Sequence, residues 1–165
     1  MEVFESLPEG TLAEVIENAL YMSPAPSLKH QQISIKLSSG LFNYATTNQL
    51  AEVYHAPVDV YLDETTNVVQ PDIILFFKNN SMVSAKNGLH GVPDFIIEIQ
   101  SPGNSHHDRV IKKDLYEKFG VKEYWIVDPE TRKAIGYSLN EKTYVAIGEF
   151  PGCIQSLLLN SKFEF

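Results

Sequence analysis

The chain has 165 residues, of which 44% are hydrophobic and 21% charged, which suits one domain spanning 1–165 with a full core. A net charge of −8 and a pI near 5.0 argue against a broad electrostatic grip on nucleic acid, though not against a local basic patch. The lone Cys153 excludes an internal disulfide and fits a reducing, cytoplasmic setting; the acidic start MEVFESLPEG lacks the apolar core of a signal peptide, and no apolar run reaches the roughly 18 residues of a membrane span.

Residues 13–22 (AEVIENALYM) read as two short strands around a Glu17-Asn18 turn. Pro24 and Pro26 stop the second strand, and Ser27 caps a helix running to about Asn48, with Ile33, Leu37, Leu41 and Phe42 at helical spacing. Residues 52–61 (EVYHAPVDVY) read as a strand whose middle Pro57 demotes to an edge or bulge. Residues 68–77 (VVQPDIILFF) form a strongly apolar strand, followed by a polar loop over 78–91. Residues 94–100 (DFIIEIQ) form a buried strand ended by Ser101-Pro102-Gly103. A helix over 106–119 (HHDRVIKKDLYEKF) is closed by Gly120, and residues 122–128 (KEYWIVD) form a strand ended by Pro129. Residues 133–139 and 142–148 read as a hairpin around Asn140-Glu141, and 151–165 as an edge strand or a docked tail. This order implies an α/β fold with a mixed sheet, and a right-handed parallel crossover over 94–128.

On the helix over 106–119, about 100° per residue puts Ile111, Leu115 and Phe119 on one apolar stripe. Asp108 and Lys112 fall on that stripe, while Lys113 points away. A lysine is rarely buried without a partner, although it can also snorkel along apolar surface. The nearby run Arg109, Lys112, Lys113, Lys118 and Lys122 is interleaved with acids and reads as a solvated face.

Alternation along 94–100 puts Asp94, Ile96, Glu98 and Gln100 on one face. A carboxylate in an apolar strand is costly unless paired or metal-bound, so Glu98 requires either Lys112 or a hard cation shared with another acid. Asp72, also within an apolar run, is the best second acid. Asp94 lies roughly 13 Å along the same strand, too far to share an ion. Two carboxylates and a backbone carbonyl, that of Ile99, suffice for Mg²⁺, which keeps several waters. Such an ion polarises a phosphoryl oxygen and activates water, and a lysine stabilises the developing charge. The alternative is a buried Glu98–Lys112 salt bridge with Asp72 merely opening its strand.

The run QPDIILF … GVPDFIIEIQSPGNSHHDRVIKKDLYEKFGVKEYWIVDP resembles the restriction-endonuclease domain family within the PD-(D/E)XK nuclease superfamily. AEVIENALYMSPAPSLKHQQIS is similar to the family's opening hairpin and helix, and FPGCIQSLLLNSKFEF to its closing segment. The resemblance implies a restriction-endonuclease-like mixed sheet flanked by two main helices, with β-hairpins at both ends. It implies a Mg²⁺- or Mn²⁺-dependent endonuclease acting on DNA, or a catalytically silent relative that binds nucleic acid or a protein. Asp72 and Glu98 match the two motif acids. Gln100 stands where the superfamily often has lysine, and Lys112 matches the helical lysine thought to replace it. A homodimer is a further expectation from the resemblance, through the C-terminal hairpin or an edge strand.

Glu14 is read as either a metal-side acid or a solvent-facing strand residue, and His30 as a surface or capping residue. Adjacent His106 and His107 cannot face one ion from a helix, which counts against zinc. Gln100 is expected to hydrogen-bond within the pocket, and Tyr116 to orient Lys112 or pack. Tyr124 and Trp125 are expected in the core, and Asp128 in a turn.

Overall fold

The computed structural model describes residues 1–8, 10–103 and 106–165. A short helix α1 (Glu2–Glu5) precedes the hairpin of β1 (Ala13–Ile16) and β2 (Ala19–Met22). The turn has positive φ at both central residues, Glu17 at 50° and Asn18 at 65°, the twist that two-residue hairpins favour. Helix α2 (Leu28–Thr47) starts at Ser27, whose hydroxyl accepts from the His30 N–H at 3.2 Å. Ile33, Leu37 and Leu41 of α2 enter the core, whereas Phe42, placed among the apolar positions by spacing, faces outward.

Both long predicted strands are broken at a proline, and the two halves of each belong to different sheets. Around Pro57 the chain passes from β3 (Ala51–His55) to β4 (Val60–Tyr61); around Pro71 it passes from β5 (Val68–Val69) to β6 (Ile73–Phe77). Proline has no N–H to continue a ladder, so each is a natural place for a strand to change sheet. At the seam the Ala56 N–H donates to the Asp72 carbonyl at 2.9 Å. The predicted polar loop contains a hairpin of β7 (Val83–Ala85) and β8 (Gly88–His90), and β8 runs parallel to β4.

The first sheet has the order β2-β1-β5-β4-β8-β7. The second runs β12-β11-β10-β9-β6-β3, with β9 (Phe95–Ile99), β10 (Glu123–Asp128), β11 (Lys133–Asn140) and β12 (Thr143–Pro151). Its β9–β10 pair is parallel and its other pairs antiparallel, the mixed sheet expected. Helix α2 packs on one face against Ile73, Leu75, Phe95 and Ile97. The connection between β9 and β10 covers the other, where Leu115 and Tyr116 meet Ile74, Phe76, Ile96 and Tyr124.

That connection opens with a wide π-helical turn over His107–Lys112 before continuing as α3 (Lys113–Phe119). Gly120, at φ 85°, closes α3 in the left-handed conformation. The wide turn displaces the ideal stripe: Asp108, Lys112, Leu115 and Tyr116 are buried, while Ile111 and Phe119 are only partly so. The tail forms a docked hairpin of β13 (Cys153–Ser156) and β14 (Ser161–Glu164). The Leu158 N–H donates to Glu123 Oε2 at 2.8 Å, and the Trp125 indole donates to Oε1 of the same carboxylate at 2.7 Å. No described helix is long and apolar enough to cross a membrane.

A Cβ on Gly136 of β11 would lie 2.5 Å from the ring of fully buried Trp125. Gly136→Ala is therefore expected to destabilise by about 2 kcal/mol through overpacking, read as a lower urea midpoint at unchanged slope.

Candidate active site

Asp72 sits at the seam between the sheets, immediately after Pro71. Its Oδ2 accepts from the Ile99 N–H at 2.7 Å, and Oδ1 lies 3.0 Å from His30 Nε2. The acid is thus fixed from the end of β9 and from the first turn of α2. His30 is buried, so it is not the surface residue expected, although its own N–H does take the Ser27 cap.

Glu98 projects from β9 toward the covering helix. Its Oε1 accepts from Lys112 Nζ at 2.9 Å and from the Tyr116 hydroxyl at 2.7 Å. Tyr116 therefore orients Glu98 rather than Lys112. The Lys112 ammonium also lies 2.8 Å from Glu14 Oε1, which accepts the Gln70 N–H at 2.7 Å. Glu14 is buried rather than solvent-facing, because its partner arrives from the distant helix. His107 Nε2 lies 3.4 Å from Glu14 Oε2, and its ring packs on Tyr21 at 4.7 Å.

The three charged groups titrate in different directions. Burial alone would raise Glu14, but the Lys112 charge and the hydrogen bonds from Lys112 and Gln70 outweigh it and bring the carboxyl down to about 2. Burial pushes Glu98 well above the ordinary carboxylate range, and Lys112 only partly offsets this. Lys112 itself is raised, since the charges of Glu14 and Glu98 outweigh its desolvation. Asp108 is raised by burial. For His30, desolvation would lower the imidazole, but the hydrogen bond and charge of Asp72 carry it upward.

These side chains form the floor of a cleft of about 450 Å³, where His30, Asp72, Glu98, Ile99, Asp108 and Lys112 meet. Asp72, Glu98, Ile99 and Lys112, singled out in the sequence, thus line one cavity. Gln100 is buried nearby; its backbone N–H bonds Val127 O, but its Nε2 has no partner among the described residues, contrary to the expected pocket hydrogen bond. Asp94 stands apart, held by Lys122 at 2.7 Å and by Phe77 N–H and Asn80 at 2.8 Å. Among the described residues, no three His, Cys, Asp or Glu side chains converge as metal ligands. Glu14 was singled out in the sequence as a metal-side or solvent-facing acid; its pairing with Lys112 and the part of Gln70 were not foreseen. An acidic residue within the otherwise apolar AEVI of β1 was the one available sign.

This architecture, with acids at the joint of a mixed sheet, is nuclease-like in fold. It is similar to the crystal structure of a putative nuclease belonging to DUF820 from Anabaena variabilis, with a TM-score of 0.76, 21% identity, and coverage of 96% of this chain and 89% of that one. The chain belongs to the Uma2 family, described as "Putative restriction endonuclease", whose model matches residues 1–155. No curated protein matches it.

Lys112→Met leaves two buried carboxylates without a counter-ion and is expected to cost about 4 kcal/mol near neutral pH. The stability linked to Glu14 is present above its ordinary 4.5 and is lost as pH falls toward about 2. The gap between wild type and Lys112→Met should accordingly narrow on acidification across that window, as measured by denaturant unfolding at a series of pH values.

Proposed function

We propose that the protein is a divalent-cation-dependent endonuclease that hydrolyses DNA phosphodiester bonds. The observation that carries this is the meeting of Asp72 from the seam before β6, Glu98 from β9 and Lys112 from the helical connection at the floor of one cleft. Asp72, Glu98 and the Ile99 carbonyl would hold Mg²⁺ or Mn²⁺. The donor set fits a hard cation that keeps several waters: it offers oxygen atoms, and Glu98 Oε2 accepts no hydrogen bond among the described residues. When bound, such an ion supplies Lewis acidity toward a phosphoryl oxygen and a more acidic water.

The chain's own groups do the rest. The Ile99 N–H and His30 hold Asp72 in one orientation. Tyr116 holds Glu98. Lys112, kept protonated by Glu14, positions the attacking water or stabilises charge developing on the phosphate. Gln100, which follows Ile99 in the chain, carries a buried amide donor without a partner among the described residues. The second reading is a catalytically silent module binding nucleic acid or a protein partner, and the net charge of −8 favours the protein partner.

The test is incubation with Mg²⁺ or Mn²⁺ and single-stranded, duplex and branched DNA. Wild type should cleave, and Asp72→Ala and Lys112→Ala should each lose at least about 100-fold in rate. No cleavage, or equal cleavage by all three proteins, would overturn the enzymatic assignment. A rise in melting temperature with either cation, abolished in Asp72→Ala, would show the ion site independently of catalysis.

A further inference from the structure

We infer that the cleft takes an unpaired DNA strand rather than an intact duplex, an assignment that rests on the nuclease function proposed above. Its floor is sunken. The side chains of Lys112 and Glu98 are 6% and 4% exposed, and that of Asp72 16%. A duplex is stiff over about 150 base pairs, and bending its backbone sharply toward a sunken floor has an elastic cost that a flexible single strand is spared. Turning a nucleotide out of the stack into such a cleft carries an unstacking cost that is least for strands already unpaired. A single nucleotide unit turns readily into a cleft of about 450 Å³.

The walls point the same way. Leu12, Pro24, Pro26, Ile35 and Pro57 supply apolar surface, and Ser34 and Ser38 lie between them on α2. Met22, next in sequence to the lining Ser23, is also exposed. Among the described lining residues Lys112 is the one lysine or arginine, and it is already held by Glu14 and Glu98. Lys29, adjacent to His30, is paired with Glu130 at 2.6 Å. Duplex binding draws its affinity from cations placed along the phosphates, and among the described lining residues there is no free lysine or arginine to supply them. An unpaired strand offers something a duplex hides, the faces of its bases, which gain from apolar contact. Ile35, 67% exposed on α2 and outside the core, is the wall residue best placed for that contact.

The experiment uses the full chain in EDTA at low salt. Fluorescence anisotropy would compare one labelled DNA strand, the same strand in a blunt duplex, and the same sequence as single-stranded RNA. The single DNA strand should bind at least about tenfold tighter than the duplex. Ile35→Asp should weaken single-strand binding severalfold while leaving the melting temperature and the duplex signal unchanged. Equal or tighter duplex binding, tighter binding of the RNA, no binding of any probe, or indifference to Ile35→Asp would each overturn the inference. Cleavage with Mg²⁺ or Mn²⁺, run alongside, separates the two assignments. Duplex cut at least as fast as the single strand leaves the nuclease and removes the strand preference. Selective single-strand binding without any cleavage leaves the strand site and removes the enzyme.

Discussion

The buried ammonium of Lys112 is the constraint around which the molecule is organised. It arrives on the helical connection of the second sheet and lies between Glu98 of that sheet and Glu14 of the first. Removing such charges from water costs several kcal/mol per ion, and the attraction compensates only when the remaining polar atoms are also satisfied. Here Tyr116 and the Gln70 N–H supply the extra hydrogen bonds. The arrangement is therefore a clamp between the two sheets as well as the floor of a cleft. Any structure that separates the sheets leaves uncompensated charge behind.

The seam that this clamp closes exists because two strands cannot run straight. Pro57 and Pro71 each lack the donor a ladder needs, and the chain changes sheet at both. Asp72 sits one residue past the second break, with its carbonyl taking the Ala56 N–H from the first. A backbone irregularity thus places an acid at the end of β9, near Glu98, without Asp72 having to interrupt the apolar middle of a strand. The wide turn over His107–Lys112 is the matching irregularity on the covering side. It buries Asp108 and Lys112 together, and π-helical turns of this kind recur at functional sites.

The same geometry bears on substrate. A clamp that needs burial to hold its charges sinks the floor, and a sunken floor admits a flexible chain more easily than a stiff one. The clamp also engages the one lysine among the described lining residues, so under the proposed function the walls would attract a strand by apolar contact and not by cations. Stability, access and specificity are in this sense consequences of one ion-pair network.

Sequence alone determined the features that local periodicity and turn chemistry encode. Positive-φ residues suited to a tight hairpin, a serine at a helix start, the alternation over Phe95–Ile99 and the orientation of Lys112 rather than Lys113 toward the interior are all decided within a few residues. Tertiary structure alone decided the burial of Glu14 and His30, because each depends on a partner far along the chain, Lys112 for one and Asp72 for the other. It also decided that two apolar runs divide between sheets, and that the exposed, short β7 pairs with β8 at all, since neither carries an apolar periodicity to announce it. Gln100 shows the limit most directly: its face on the strand follows from alternation, but its unpartnered amide follows from which groups the fold brings near it. Short-range rules set where a side chain points, and only the packed chain sets what it meets there.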